Sequence, residues 1–449
     1  MPRILLPTIL ALSLVGARLT AAQGPVYKLL WSPPNLDSPG GQPTVIFEVA
    51  PGLFYVLGGL VQNTFGASVF SVTSNGTYQP LYSLPPNFES VALAQATNGK
   101  LYGPGWNGNT KQWFYFSATE AGKAPVEYSF PGNLGSGWQT IAGPGGIYDI
   151  VGGPGPQGST IFDFARISYA GQFTILHQFA GSDGVPHSIN LALASDNNFY
   201  GIGNETASET SPGFIFRLTP KGEYSQLVSF PKFPANGFIP IIAASDGNLY
   251  GLFGAGGPAN SGELYRATLT GQLQTLADFP KSMALPQTLM QASDGNIYGS
   301  TNSNVIFRYD VTTHALTEAY HMAAHGTQGL CYCQLIQGTD GKLYGVTGNG
   351  GPYPGIGVVF SLDLGLPRPE PAVTGLYPAA GVVGQEVMLW GKYVLGATSV
   401  TFNGVAATNV HVTSGQSAWA TVPAGASSGP VTITTPNGSF TTTQSFTVQ

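Results

Sequence analysis

The stretch "SDGNLYG" occupies residues 245–251, and near-copies stand at 97–103 ("TNGKLYG"), 195–201 ("SDNNFYG"), 293–299 ("SDGNIYG") and 339–345 ("TDGKLYG"). Aligned on its tyrosine, the motif marks Tyr102, Tyr200, Tyr250, Tyr298 and Tyr344, and the degenerate copies "PGLFY" and "PGGIY" add Tyr55 and Tyr148. These tyrosines are 47, 46, 52, 50, 48 and 46 residues apart. A strand-rich period of about 40–50 residues is the mark of a propeller, one four-stranded blade per period.

One period shows how the blade is written. Residues 238–279 hold four strand signals, "FIPIIAASDG", "NLYGLFG", "ELYRATLTG" and "QLQTLADF", with the loop "AGGPANSG" between the second and third. Short apolar or alternating runs bounded by glycine and asparagine are hairpin signals. Four short strands cannot bury both faces alone, so each blade must stack on its neighbours. The third-strand signal recurs seven times, at 69–72, 114–118, 164–168, 214–218, 264–268, 306–310 and 358–362. The chain therefore opens in mid-blade, with "VYKLLW" (26–31) as a fourth strand that pairs with the last blade and removes the open edge. Within the motif, Asp-Gly suits a two-residue hairpin loop whose central residues both take positive φ. Its aspartate reads as a turn former, on the ring face opposite the glycine-rich loops.

Composition agrees with a turn-rich all-β protein. The 449 residues include 62 glycines and 35 prolines, only 8% are charged, and 43% are hydrophobic; an average soluble domain carries about 25% charge. Disorder pairs low hydrophobicity with high net charge, and this chain has neither. Net charge is −6 with no basic run, which excludes nucleic-acid binding through a phosphate-neutralising patch. "MPRILLPTILALSLVGARLTAA" has a charged start, an apolar stretch and small residues near Ala22, so residues 1–22 read as a secretory signal peptide. No other segment is apolar enough for a membrane span, and the mature protein is expected to be secreted, at the cell surface or in the periplasm.

The motif copies, Gly256-Gly257, Gly350-Gly351, "LTPKG" (218–222) and "HQFAGSDGVP" (177–186) resemble the GloVer tandem-repeat family and, more loosely, NHL-type propellers. The resemblance covers roughly residues 45–363 and implies a secreted propeller-like protein, with no catalytic residues to carry over. After the proline-rich linker the composition shifts to Val/Thr-rich short strands. Pro378, Gly381, Gly384, Gly391, "VTFNG" (400–404), "VPAGASSGPVTI" (422–433) and "FTV" (446–448) resemble an IPT/TIG domain, an immunoglobulin-like β-sandwich. The organisation expected is a signal peptide (1–22), a seven-bladed β-propeller (25–365), a linker (366–371) and the IPT/TIG domain (372–449).

Apparent catalytic motifs fail on context. "GASSG" (425–429) lies in a sandwich hairpin, where a nucleophile elbow needs a strand-to-helix turn. "GPGWNG" (103–108) and "GPGPQG" (153–158) open no helix and cannot cradle a pyrophosphate. Cys331 and Cys333 read as buried small side chains, with a strained bridge as the alternative. No metal-ligand spacing is seen, and no cofactor is called for. In the irregular loops, Trp106, Trp138 and Tyr353 stand among Asn, Gln and Gly, a combination suited to stacking on sugar faces. His187 is expected in a loop at the channel mouth, with Asp183 nearby and Arg166 the nearest arginine by repeat register. The first expectation is a non-enzymatic binding module for an extracellular glycan or protein. The second is a propeller lyase or hydrolase acting on polysaccharide through His187, Arg166 and Asp183.

Overall fold

In the computed structural model the motif is a hairpin, but not the two-residue one suggested by Asp-Gly. The Gly247 N–H donates to Ala244 C=O at 3.2 Å, and the Ala244 N–H reaches Asn248 C=O at 2.9 Å, which encloses a three-residue loop. Only the glycine is left-handed, with φ of 79° at Gly247, 81° at Gly295 and 90° at Gly341; Asn197 takes that place at 61°. This is a type I turn followed by a left-handed bulge residue. The aspartate selects it. Asp246 Oδ1 accepts the Asn248 N–H at 3.0 Å, and Oδ2 accepts the Tyr250 hydroxyl at 2.8 Å. Such short polar side chains offer the backbone a local alternative to the ladder. The hydroxyl bond repeats at Tyr200–Asp196 (2.7 Å), Tyr298–Asp294 (2.9 Å) and Tyr344–Asp340 (2.8 Å).

The structure describes residues 24–34, 42–59, 67–85, 88–90, 92–118, 126–130, 134–143, 145–154, 160–206, 211–230, 240–322, 334–348, 350–351 and 356–449. The proposed signal peptide, Cys331, Cys333 and Tyr353 lie outside them.

Among the described residues, seven antiparallel sheets follow one another along the chain from Val26 to Asp363. A representative one runs Ile241–Ala243, Asn248–Phe253, Glu263–Thr268, Leu273–Asp278, from the inner strand outward. One inner strand is broken into Phe88–Glu89 and Ala94–Gln95. The last sheet takes its outer strand from the other end of the chain: Val26–Trp31 pairs with Val358–Asp363, in register Val26↔Asp363 to Trp31↔Val359. Seven apolar cores fill the gaps between neighbouring sheets. The one joining last to first holds Tyr344, Val346 and Val359 against Phe54, Val56 and Phe70, so the sheets form a closed ring.

A repeated bulge shapes the rim. Outer-strand pairings slip by one residue in six sheets, leaving Leu30, Leu81, Leu176, Leu227, Leu276 and Ala319 unpaired. Bulges bend the strand and raise its twist. Neighbouring hairpins nest on the freed carbonyls. A Cβ on Gly222 would stand 2.0 Å from Leu176 O, on Gly271 2.7 Å from Leu227 O, and on Gly76 2.8 Å from Leu30 O.

Residues Ala372–Val448 build two more sheets, one of strands Ala372–Tyr377, Glu386–Lys392, Ser417–Thr421 and Thr408–Ser414, the other centred on Gly429–Thr435 and Gly438–Val448. Inward residues such as Val387, Leu389, Phe402, Ile433 and Phe446 give them a core of their own. This two-sheet unit sits on the ring face that carries the motif turns. Met388 and Trp390 enter the same apolar cluster as Ala96, Tyr102 and Ile147 of the ring. The Trp419 indole donates to Thr97 C=O at 3.1 Å, and the Asn437 amide donates to Thr339 C=O at 2.7 Å.

Candidate functional site

The inner strands ending at Gln95, Leu193, Ala243, Gln291 and Gln337 stop two residues before a motif turn, and the residue at that point can reach sideways to the neighbouring sheet. Gln291 Oε1 accepts the Ser245 N–H at 2.7 Å, and Gln337 Oε1 accepts the Ser293 N–H at 2.8 Å. Glu48 completes the circuit: its oxygens accept the Thr339 N–H at 2.8 Å, the Thr339 hydroxyl at 2.9 Å and the Gly52 N–H at 2.7 Å. Deeper in, the Ile46 N–H donates to Gln334 Oε1 at 2.8 Å. Burial raises the Glu48 carboxyl above its ordinary pKa, and the Gly52 and Thr339 donors offset only part of that.

Inside this collar is a cavity of about 450 Å³. Its walls come from six inner strands among the described residues, with Val45, Ile141, Ile242, Leu289, Leu335 and Ile336 presenting apolar side chains. At the end with the motif turns the C-terminal unit lines it with Lys392, Tyr393, Leu395 and Ser414–Gln416. Thr413 holds this contact from both sides, its hydroxyl donating to Thr97 C=O at 2.6 Å and its carbonyl accepting the Gln95 amide at 3.2 Å. The Lys392 ammonium donates to Ala243 C=O at 3.2 Å. Lys392 is exposed at the cavity, and desolvation by the surrounding protein pulls its ammonium pKa down. Beside it, burial pushes the Tyr393 hydroxyl up to about 12, so the phenol stays protonated as a neutral donor.

Of the residues expected to form a catalytic group, Arg166 and Asp183 are not brought together. Arg166 is not at a channel mouth: it pairs opposite Tyr148, at the motif-turn end of its sheet. Arg217, Arg266 and Arg308 stand opposite Tyr200, Tyr250 and Tyr298 in the same way, so Arg166 is part of the repeat. Arg308 donates to Asp310 at 2.8 Å and lies 3.7 Å from Asp294, while Arg266 donates to Gln274 at 2.8 Å. Asp183 lies beyond the opposite end of the neighbouring strand Phe173–Phe179, whose Thr174 pairs with Arg166. There it accepts the Ala180 N–H at 3.2 Å and stands 3.3 Å from His177 Nε2, and His177 stacks on Tyr224 at 5.0 Å.

His187 lies within the strand Val185–Leu193 rather than in a loop, and Trp138 within Gly135–Gly143; both side chains fall outside the described residues. Trp106 is half-buried at the loop-face end of Leu101–Asn107, its ring 5.5 Å from that of Trp113. The latch residues had a signal in "QATNG", "QASDG" and "QGTDG", where glutamine precedes the turn at fixed distance. Lys392 and Tyr393 had none, because their place depends on how the C-terminal unit docks.

A family model described as the Gloeobacter/Verrucomicrobia repeat matches residues 149–305. No curated protein matches the chain. Among solved structures, a streptogramin B lyase is 16% identical with a TM-score of 0.51, covering 76% of this chain and 98% of its own. A puromycin hydrolase mutant in complex is 14% identical with a TM-score of 0.50, covering 68% of this chain and 50% of its own. Identities this low speak for fold alone. The chain is an all-β, repeat-built propeller.

Proposed function

We propose that the protein is a secreted binding module: a seven-bladed β-propeller (25–365) preceded by a signal peptide (1–22) and joined by the linker 366–371 to an IPT/TIG domain (372–449). Its ligand is an extracellular glycan or protein, taken at the loop face. The observation that carries this reading is the occupation of one ring face. The C-terminal unit lines the motif-turn end of the cavity through Lys392, Tyr393 and Ser414–Gln416, and the loop face is the other one. Trp106 stands at that face, and Trp138, His187 and Tyr353 are assigned there with it. Among the described residues no helix is long and apolar enough to cross a membrane. The second reading, a polysaccharide lyase or hydrolase, loses the convergence it required, since Arg166 stands opposite Tyr148 and Asp183 beside His177.

A polysaccharide panel tests the proposal, with retention and new reducing or unsaturated ends measured together. Retention without cleavage, weakened about tenfold by Trp106→Ala through loss of one stacking contact of roughly 1.4 kcal/mol, is the expected result. Cleavage abolished by His187→Ala establishes the enzyme instead. Retention indifferent to Trp106→Ala removes the assigned face.

A further inference from the structure

We propose that the ring cavity receives a small amphiphilic carboxylate, with Lys392 as the counter-ion of its anionic group. This rests on the reading of the ring as a ligand-holding module and names the class of ligand for its interior. At about 450 Å³ the cavity matches the volume of about fifteen waters, which suits a ligand of roughly that many non-hydrogen atoms.

Most polar groups of the collar are already engaged. Gln291 and Gln337 hold the backbone of Ser245 and Ser293, Gln334 holds that of Ile46, and Gln95 is bonded to Thr413. Glu48 accepts three donors from Thr339 and Gly52. Lys392 is different. An ammonium has three donors; one is used on Ala243 C=O, and no carboxylate stands within ion-pair distance of it among the described residues. Lys392 is exposed and, among these residues, stands without a carboxylate partner at the cavity, and an incoming carboxylate supplies the counter-charge.

The rest of the ligand follows from the walls. Val45, Ile141, Ile242, Leu289, Leu335 and Ile336 give the cavity an apolar wall that takes an alkyl or aryl body, while Thr140, Gln334 and Gln416 line it beside them. One cation suits one negative charge rather than a dianion.

The test is calorimetric titration of the full chain with decanoate, decanol and decylammonium, each below its micellar concentration. Decanoate is expected to bind at least about tenfold more tightly than decanol, and decylammonium not to bind. In Lys392→Met, decanoate affinity falls to that of decanol, with decanol unchanged; if that variant unfolds, Lys392→Gln replaces it. Because a bound carboxylate raises the ammonium pKa, decanoate binding takes up protons in alkaline buffer and weakens as pH rises. Equal affinity for decanoate and decanol, no binding of decanoate, or undiminished decanoate binding in the Lys392 variant overturns the proposal. Polysaccharide retention through Trp106 reads the loop face separately, so either result can fail without the other.

Discussion

Asp246 has two tasks, shaping the turn through Asn248 and holding the Tyr250 hydroxyl. Burial pushes its carboxyl up, but the Asn248 and Tyr250 donors outweigh that and hold it below the ordinary value. The sign is then fixed. A carboxyl lowered in the folded state contributes stability that is complete above about pH 4 and lost as pH falls through the folded pKa. Asp246→Asn should lower stability by about 1 kcal/mol in urea unfolding at pH 7, and the difference from the parent chain should narrow at pH 3. The repeat and its tyrosines were legible because the spacing is written directly in the sequence. The loop length was not: Asp-Gly fits both a two-residue loop and a type I turn with a bulge, and only the Asp246–Tyr250 contact decides. Arg166 was misplaced for a related reason, since its role depends on which residue it faces across the ladder, and that residue is Tyr148.

Between elements, two small devices hold adjacent sheets together. The first is the hairpin glycine over a bulge carbonyl. Gly222 has φ of 92° and a Cβ there would stand 2.0 Å from Leu176 O, so Gly222→Ala must move backbone and should lose about 2–3 kcal/mol in denaturant unfolding. The second is the lateral latch. Removing the Glu48 side chain strands the Thr339 and Gly52 donors, and Glu48→Ala should lose about 2–3 kcal/mol. Its pH dependence runs opposite to that of Asp246. A carboxyl raised in the folded state contributes most below its unfolded pKa, and that contribution is lost as pH rises through the folded value. Stability measured from pH 4 to 7 should therefore fall less with pH in Glu48→Ala than in the parent chain. The glutamine latches could have been noticed by their position before the turn. Their glutamate equivalent was hidden, because the first copy of the motif, at Pro51-Gly52, is degenerate.

For the whole molecule, the decisive contact is the C-terminal unit seated on the ring. Trp390 is buried in a cluster shared with Ala96 and Ile147. Trp390→Ala should destabilise the chain by about 3 kcal/mol and expose residues 366–371 to limited proteolysis, read by mass spectrometry of the fragments. Asn437, an apparent glycosylation acceptor by sequence, has its amide bonded to Thr339 and Pro369 carbonyls, so an attached glycan would have to displace the docking. None of this was legible, since a docking geometry between two units leaves no periodic trace in either. The strand Val26–Trp31 also sets a timetable. It is among the first parts of the ring to leave the ribosome, yet its partner Val358–Asp363 is among the last. At about 5–20 residues per second it waits on the order of tens of seconds for that partner. Throughout that interval the nascent ring has two unpaired rims, and whatever binds the emerging chain must shield them until residue 363 arrives.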